Sequence, residues 1–132
     1  MKESDNVNHP AHYESGYTAK IECIDIARHL NFCRGNAFKY VWRCGKKGSY
    51  EQSIEDLEKA LWYLQDDFRY SDAKCSNSAR AIFSLINFST SDMFETKRYN
   101  ALSSIVYNMD AQKSIEVMIG ILESRLKEKT DV

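Results

Sequence analysis

Apolar residues recur along most of this chain at alternating steps of three and four, the spacing that lines one face of an α-helix. The pattern is clearest at Ile54, Leu57, Leu61, Leu64 and Phe68, with Asp56, Lys59 and Tyr63 on the opposite face. Ser49-x-x-Gln52 forms a capping box at its start. Upstream, the pattern predicts a first helix over 18–30. A second is capped by Asn31 and runs to about Cys44, where Gly45 supplies the stop. Gly45-Lys46-Lys47-Gly48 is then a short turn. Residues 1–17, with Pro10 and Gly16 as breakers, read as a loop, and 71–78 as a polar break. A short helix follows with Ala79, Ile82, Phe83 and Ile86 on one side. Asp92-x-x-Glu95 opens another, carrying Tyr99, Leu102, Val106 and Met109. Asp110 caps the last, with Ile115, Met118, Ile119, Leu122 and Leu126. No convincing strand is found, so the expectation is an all-α bundle of about five to six helices.

Composition agrees with that class. Five Gly and one Pro in 132 residues are too few for a turn-rich β-sandwich or barrel. At 43% hydrophobic and 28% charged, the chain can bury an ordinary core. It divides into a core with its leading loop, residues 1–70, and a helical extension, residues 71–132, packed into the same domain or used for oligomerisation. The longest apolar run is only Ala60-Leu61-Trp62-Tyr63-Leu64, so no membrane span is expected. The polar first eight residues do not read as a secretory leader. Cys23, Cys33, Cys44 and Cys75 form no C-x-x-C pair, which points to reduced thiols in a cytoplasm.

The formal net charge of −1 hides a strong local division. Residues 26–50 contain no acid but include Arg28, Arg34, Lys39, Arg43, Lys46 and Lys47. Residues 51–67 set Glu51, Glu55, Asp56, Glu58, Asp66 and Asp67 against Lys59 alone. Lys39, Arg43, Lys46 and Lys47 follow helical spacing into a Gly-flanked turn that leads to a helix start at Ser49. Free backbone N–H groups and the positive dipole end suit an anion there. A solvated basic face is the plain alternative. No Walker A motif can be aligned. The division disfavours extended nucleic acid as a partner and favours a small phosphorylated ligand.

Glu22, Asp25 and His29 share one stripe of the first predicted helix, where acids need salt-bridge partners or a ligand. Glu22-x-x-Asp25 and Glu55-x-x-Glu58 could together hold Mg²⁺, as paired acidic motifs do in all-α nucleoside triphosphate pyrophosphatases, although in the reverse order. His9-Pro10-Ala11-His12-Tyr13 lies on the leading loop and lacks the spacing of a helical zinc site.

These residues resemble a small phage family typified by the nucleoside monophosphate kinases of podophages. The resemblance spans about residues 7–70. It rests on His9-Pro10-x-His12-Tyr13, Ile21-Glu22-x-Ile24-Asp25, Gly35-Asn36-Ala37-x-Lys39-Tyr40-x-x-Arg43-x-Gly45-Lys46-Lys47 and Asp56-Leu57-x-Lys59-Ala60-x-x-Tyr63. It implies a kinase without a P-loop, acting on thymidine and guanosine deoxynucleoside monophosphates. It also implies a homo-oligomer in the host cytoplasm, with no strict need for a cofactor, although Mg²⁺ can accompany the nucleotide.

Phosphoryl transfer demands positioning and charge neutralisation more than a strong base. On that footing Lys39 and Arg43 are the expected catalytic cations, Lys46, Lys47 and Lys59 further phosphate contacts, and His12 a hydrogen-bond or proton donor. Glu22 and Asp25 would hold ribose or base or orient Arg43. Tyr13 or Tyr40 would stack on the base, with His9 and Tyr63 completing the substrate site. Two rivals stand beside this expectation: a Mg²⁺-dependent triphosphate pyrophosphohydrolase, and a non-catalytic protein that sequesters nucleotides.

Overall fold

A computed structural model of the chain describes residues 20–46, 48–70 and 76–130, and the backbone alone at 12–14. A short antiparallel ribbon comes first, with β1 (His12–Glu14) paired to β2 (Lys20–Glu22) so that Tyr13 faces Ile21. Six helices follow among the described residues: α1 (Cys23–Ala27), α2 (Phe32–Arg43), α3 (Tyr50–Tyr70), α4 (Asn77–Phe83), α5 (Met93–Val106) and α6 (Gln112–Thr130). The class is all-α, as expected, with the ribbon added at its front. No helix among the described residues is long and apolar enough to cross a membrane.

Helix starts are set by side chains that accept from otherwise unpaired amides. Asn31 Oδ1 accepts from the Arg34 amide at 2.8 Å and starts α2. At α3 both halves of the expected capping box form: Ser49 Oγ accepts from Gln52 N–H, and Gln52 Oε1 accepts from Ser49 N–H. Asp92 accepts from the Glu95 amide at the start of α5, and Asp110 from the Gln112 amide at the start of α6.

The expected helix over 18–30 is reduced to the five residues of α1. Two local bonds explain the difference. Residues 20–22 are drawn into the ribbon, and the Asp25 carboxylate accepts from the Glu22 amide at 2.9 Å, which starts the helix at Cys23. Downstream, Asn31 must be extended to cap α2, so the chain leaves helical geometry before it.

The core joins both halves of the chain. α3 lies against α2 and α6, and α5 packs on α2 and α6, while α1 lies on α2 and α4. Phe38, Val41, Trp42, Leu57, Leu102, Ile105, Ile115, Met118 and Leu122 are all essentially fully buried. The predicted stripe of α3 holds at Leu57, which is buried, and at Ile54, Leu61 and Leu64, which pack partly buried against the core, but not at Phe68. The most buried positions are Ser53, Leu57, Ala60 and Asp67, whereas Phe68 is 92% exposed. Polar contacts turn the helix. Ser53 Oγ accepts from the Gly45 amide. Asp67 accepts from Asn31 Nδ2 at 2.9 Å and from Arg34 Nε at 3.1 Å. These bonds clamp the α2–α3 hairpin at its two ends.

Candidate functional site

α2 carries Phe32, Asn36, Lys39 and Arg43 on one stripe, and this stripe is the floor of an open groove of about 1210 Å³. One wall is Glu22 with α1, and the other is the first half of α3, with Gln52, Glu55, Asp56 and Lys59. The turn after α2 closes one end with Lys46 and Gly48. That turn requires left-handed backbone at Gly45 (φ 78°) and Gly48 (φ 80°).

Four of the expected cations therefore meet: Lys39, Arg43, Lys46 and Lys59. Arg43 grips Asp56 with two bonds, Nη2 to Oδ1 at 3.1 Å and Nε to Oδ2 at 3.4 Å, and its side chain remains 53% exposed. The hydrogen bond to Asp56 raises the Arg43 pKa above its ordinary value, so the guanidinium is a fixed positive charge. Desolvation, and after it the positive Arg98, lowers the pKa of Lys46. Lys59 pairs along its helix with Glu55 at 3.9 Å. Lys39, Arg43 and Lys59 all approach the Tyr40 ring, at 4.8, 4.9 and 5.6 Å from its centroid.

The remaining expected residues divide. Glu22 lines the groove. Asp25 is spent on capping α1 and does not line it. Tyr40 is stacked on Tyr63 with centroids 6.1 Å apart, so its ring is already engaged by Tyr63 and three cations. The β1 backbone places His12 opposite Glu22 and Tyr13 opposite Ile21. His9 and Lys47 lie outside the described residues, as do the side chains of His12 and Tyr13. The acidic pairs do not assemble. Glu58 is absent from the groove, and no group of three metal-ligating side chains converges among the described residues.

Arg98 was not anticipated. It is 2% exposed and reaches from α5 to the end of α2. Its Nη1 donates to Val41 O at 2.6 Å, to Trp42 O at 3.0 Å and to Cys44 Sγ at 3.4 Å. Nε and Nη2 fork onto Glu95 at 2.8 and 3.1 Å. The carbonyls left over at a helix C-terminus are thus held by a buried cation, and the turn bearing Lys46 is fixed to the second half of the chain. The signal was present: Arg98 sits on the same helical face as Phe94, Leu102 and Ile105. Phe32 and Ile24 were also passed over, and both line the groove while exposed.

Among the described residues the structure is a small helical fold with a groove in which cations outnumber acids. A family of proteins of unknown function, DUF3310, matches residues 7–65, which include every residue that lines the groove. No curated protein and no solved structure matches the chain. This corrects the resemblance to podophage-type nucleoside monophosphate kinases: the matching family carries no kinase assignment.

Proposed function

We propose that the groove binds a nucleotide through its phosphates and that its chemistry is phosphoryl transfer from a nucleoside triphosphate to a deoxynucleoside monophosphate. The observation that carries this reading is the convergence of Lys39, Arg43, Lys46 and Lys59 on one groove. Phosphates are recognised by such cations, Arg through its planar fork and Lys as a point charge. A phosphate acceptor is already an anionic nucleophile, so a site rich in cations suits the reaction without a strong general base being required. The volume lies above the roughly 300–1,000 Å³ usual for one small ligand, which leaves room for a donor and an acceptor. Any Mg²⁺ would arrive with the nucleotide.

Of the four acids of the two pairs, Asp25 is spent on capping α1 and Glu58 lies outside the groove. That weighs against hydrolysis built on two carboxylate pairs. The test is incubation with ATP and dTMP, with the nucleotides separated by chromatography. Formation of dTDP that depends on dTMP is the expected result. Pyrophosphate release from dTTP alone, abolished by EDTA, would favour the pyrophosphohydrolase instead. Tight binding with all ligand recovered intact would make the protein a sequestering one.

A further inference from the structure

The groove has two unlike ends. Lys39, Arg43 and Lys46 crowd the C-terminal end of α2. At the other end Ile24, Ala27, Leu30, Phe32 and Gly35 share the lining with Arg28, Asn31 and Asn36. Ile24 is 52% and Phe32 75% exposed, although the core lies close by. An edge-on contact with Tyr63, centroids 6.0 Å apart, is the ring contact Phe32 makes. Large apolar side chains at the mouth of a polar groove suggest an apolar ligand surface, because water is a poor partner for them. From Phe32 to Arg43 the helix rises about 16 Å at 1.5 Å per residue, a span suited to an extended nucleoside polyphosphate.

We infer that the apolar end, between Ile24 of α1 and Phe32 of α2, is a subsite for the ligand's planar base, with the phosphates directed to Lys39, Arg43 and Lys46. This rests on the nucleotide reading above and adds an orientation to it. It also moves base stacking away from Tyr40, whose ring is engaged by Tyr63 and the cations. Gly35 fits the role. Its lack of a side chain lets the end of α1 pack closely on α2, since an added Cβ would come within 3.2 Å of the Ala27 carbonyl. Every base has an apolar face, so stacking here would be tolerant of base identity.

The test is calorimetric titration of the full chain with dTTP, dGTP and inorganic tripolyphosphate. Phe32→Ala should weaken both nucleotides about tenfold or more and leave tripolyphosphate within about twofold. Phe32→Trp should retain nucleotide binding and Phe32→Leu should lose it, since flatness and not bulk is required. Lys39→Ala should weaken all three ligands. Circular dichroism confirms that each variant is folded, which the exposure of Phe32 favours. Nucleotide binding unchanged in Phe32→Ala, or a parallel loss of tripolyphosphate, overturns the base subsite. Wild-type protein that binds tripolyphosphate as tightly as nucleotides overturns it too, while sparing the phosphate reading. Wild-type protein that binds none of the three defeats both.

Discussion

Replacing Arg98 with Met tests how the second half of the chain supports the groove. Met keeps much of the length and apolar contact of the side chain but removes every donor. Three acceptors at the end of α2 lose their partner: Val41 O, Trp42 O and Cys44 Sγ. The two carbonyl bonds are charge-assisted and buried, each of a kind worth about 1.5–3 kcal/mol. Glu95 loses its fork, but its carboxylate is 37% exposed and can turn to water, so that share is small. Losing the two carbonyl bonds together costs about 3–6 kcal/mol. For a chain of this size the melting temperature should fall by roughly 10–20 °C. Urea unfolding at neutral pH, followed by circular dichroism, measures the free energy directly. Glu95→Gln is the comparison: Arg98 keeps its carbonyl acceptors and one side-chain oxygen, so the loss should be clearly smaller than for Arg98→Met, although the buried guanidinium is left without its counter-charge. A loss below about 1 kcal/mol for Arg98→Met would refute the view that this cation fixes the end of α2. So would equal losses for the two variants, since the fork to Glu95 would then account for everything.

Asp67→Ala should destabilise the fold by about 3 kcal/mol, because it strands Arg34 and the capping Asn31, whereas Asp66→Ala next to it should cost under about 1 kcal/mol. Urea melts of the two variants decide, and equal losses would contradict the clamp assigned to Asp67. Alkaline pH offers a separate test. Burial pushes the Cys23 thiol up to about 12 and the Cys44 thiol up to about 11 from an ordinary 9.0. Both thiols stay protonated in the folded chain while the unfolded chain ionises them. Their stabilising share is complete below about pH 8.5 and declines as pH rises toward the folded values. The stability of a Cys23→Ala, Cys44→Ala double variant should therefore fall less steeply between pH 8 and 10 than that of the wild type. Parallel slopes would contradict the burial argument.

Helix positions were legible where short-range chemistry fixes them. Asn31, Ser49, Gln52, Asp92 and Asp110 each accept an amide within three residues, so their effect is written locally. The same rule misled at Glu22 and Asp25. Two acids three residues apart on an apolar helix suggest salt-bridge partners or a ligand, but Asp25 serves as the cap of a short helix. Periodicity found most of the inner face of α3, where Leu57 is buried and Ile54, Leu61 and Leu64 pack on the core, but it missed Ser53 and Asp67 and wrongly included Phe68. It counts apolar residues only, and here Ser53 and Asp67 are drawn inward by hydrogen bonds from Gly45, Asn31 and Arg34. Those partners lie between eight and thirty-six residues away, beyond the reach of any local pattern.

The charge division shows how one feature can serve both fold and site. Read along the chain, a basic stretch followed by an acidic one suggested a ligand for the cations. In the folded hairpin the two stretches lie side by side, and part of the opposition is satisfied internally. Arg34 is consumed this way, held by the buried Asp67 and by Ile105 O, and it takes no part in lining the groove. Arg43 sits between the two roles: it is paired with Asp56 yet half exposed to the groove, so an incoming phosphate must share or replace that carboxylate. Lys39 and Lys46 extend the cationic end beyond what Asp56 faces. Because the pairing at Arg43 lies near solvent it is worth little, about 0–1 kcal/mol, and a doubly charged phosphate can outcompete it. The buried pairing at Arg34 cannot be displaced at comparable cost. Depth within one hairpin thus separates the cation that builds the fold from the one that can meet a ligand.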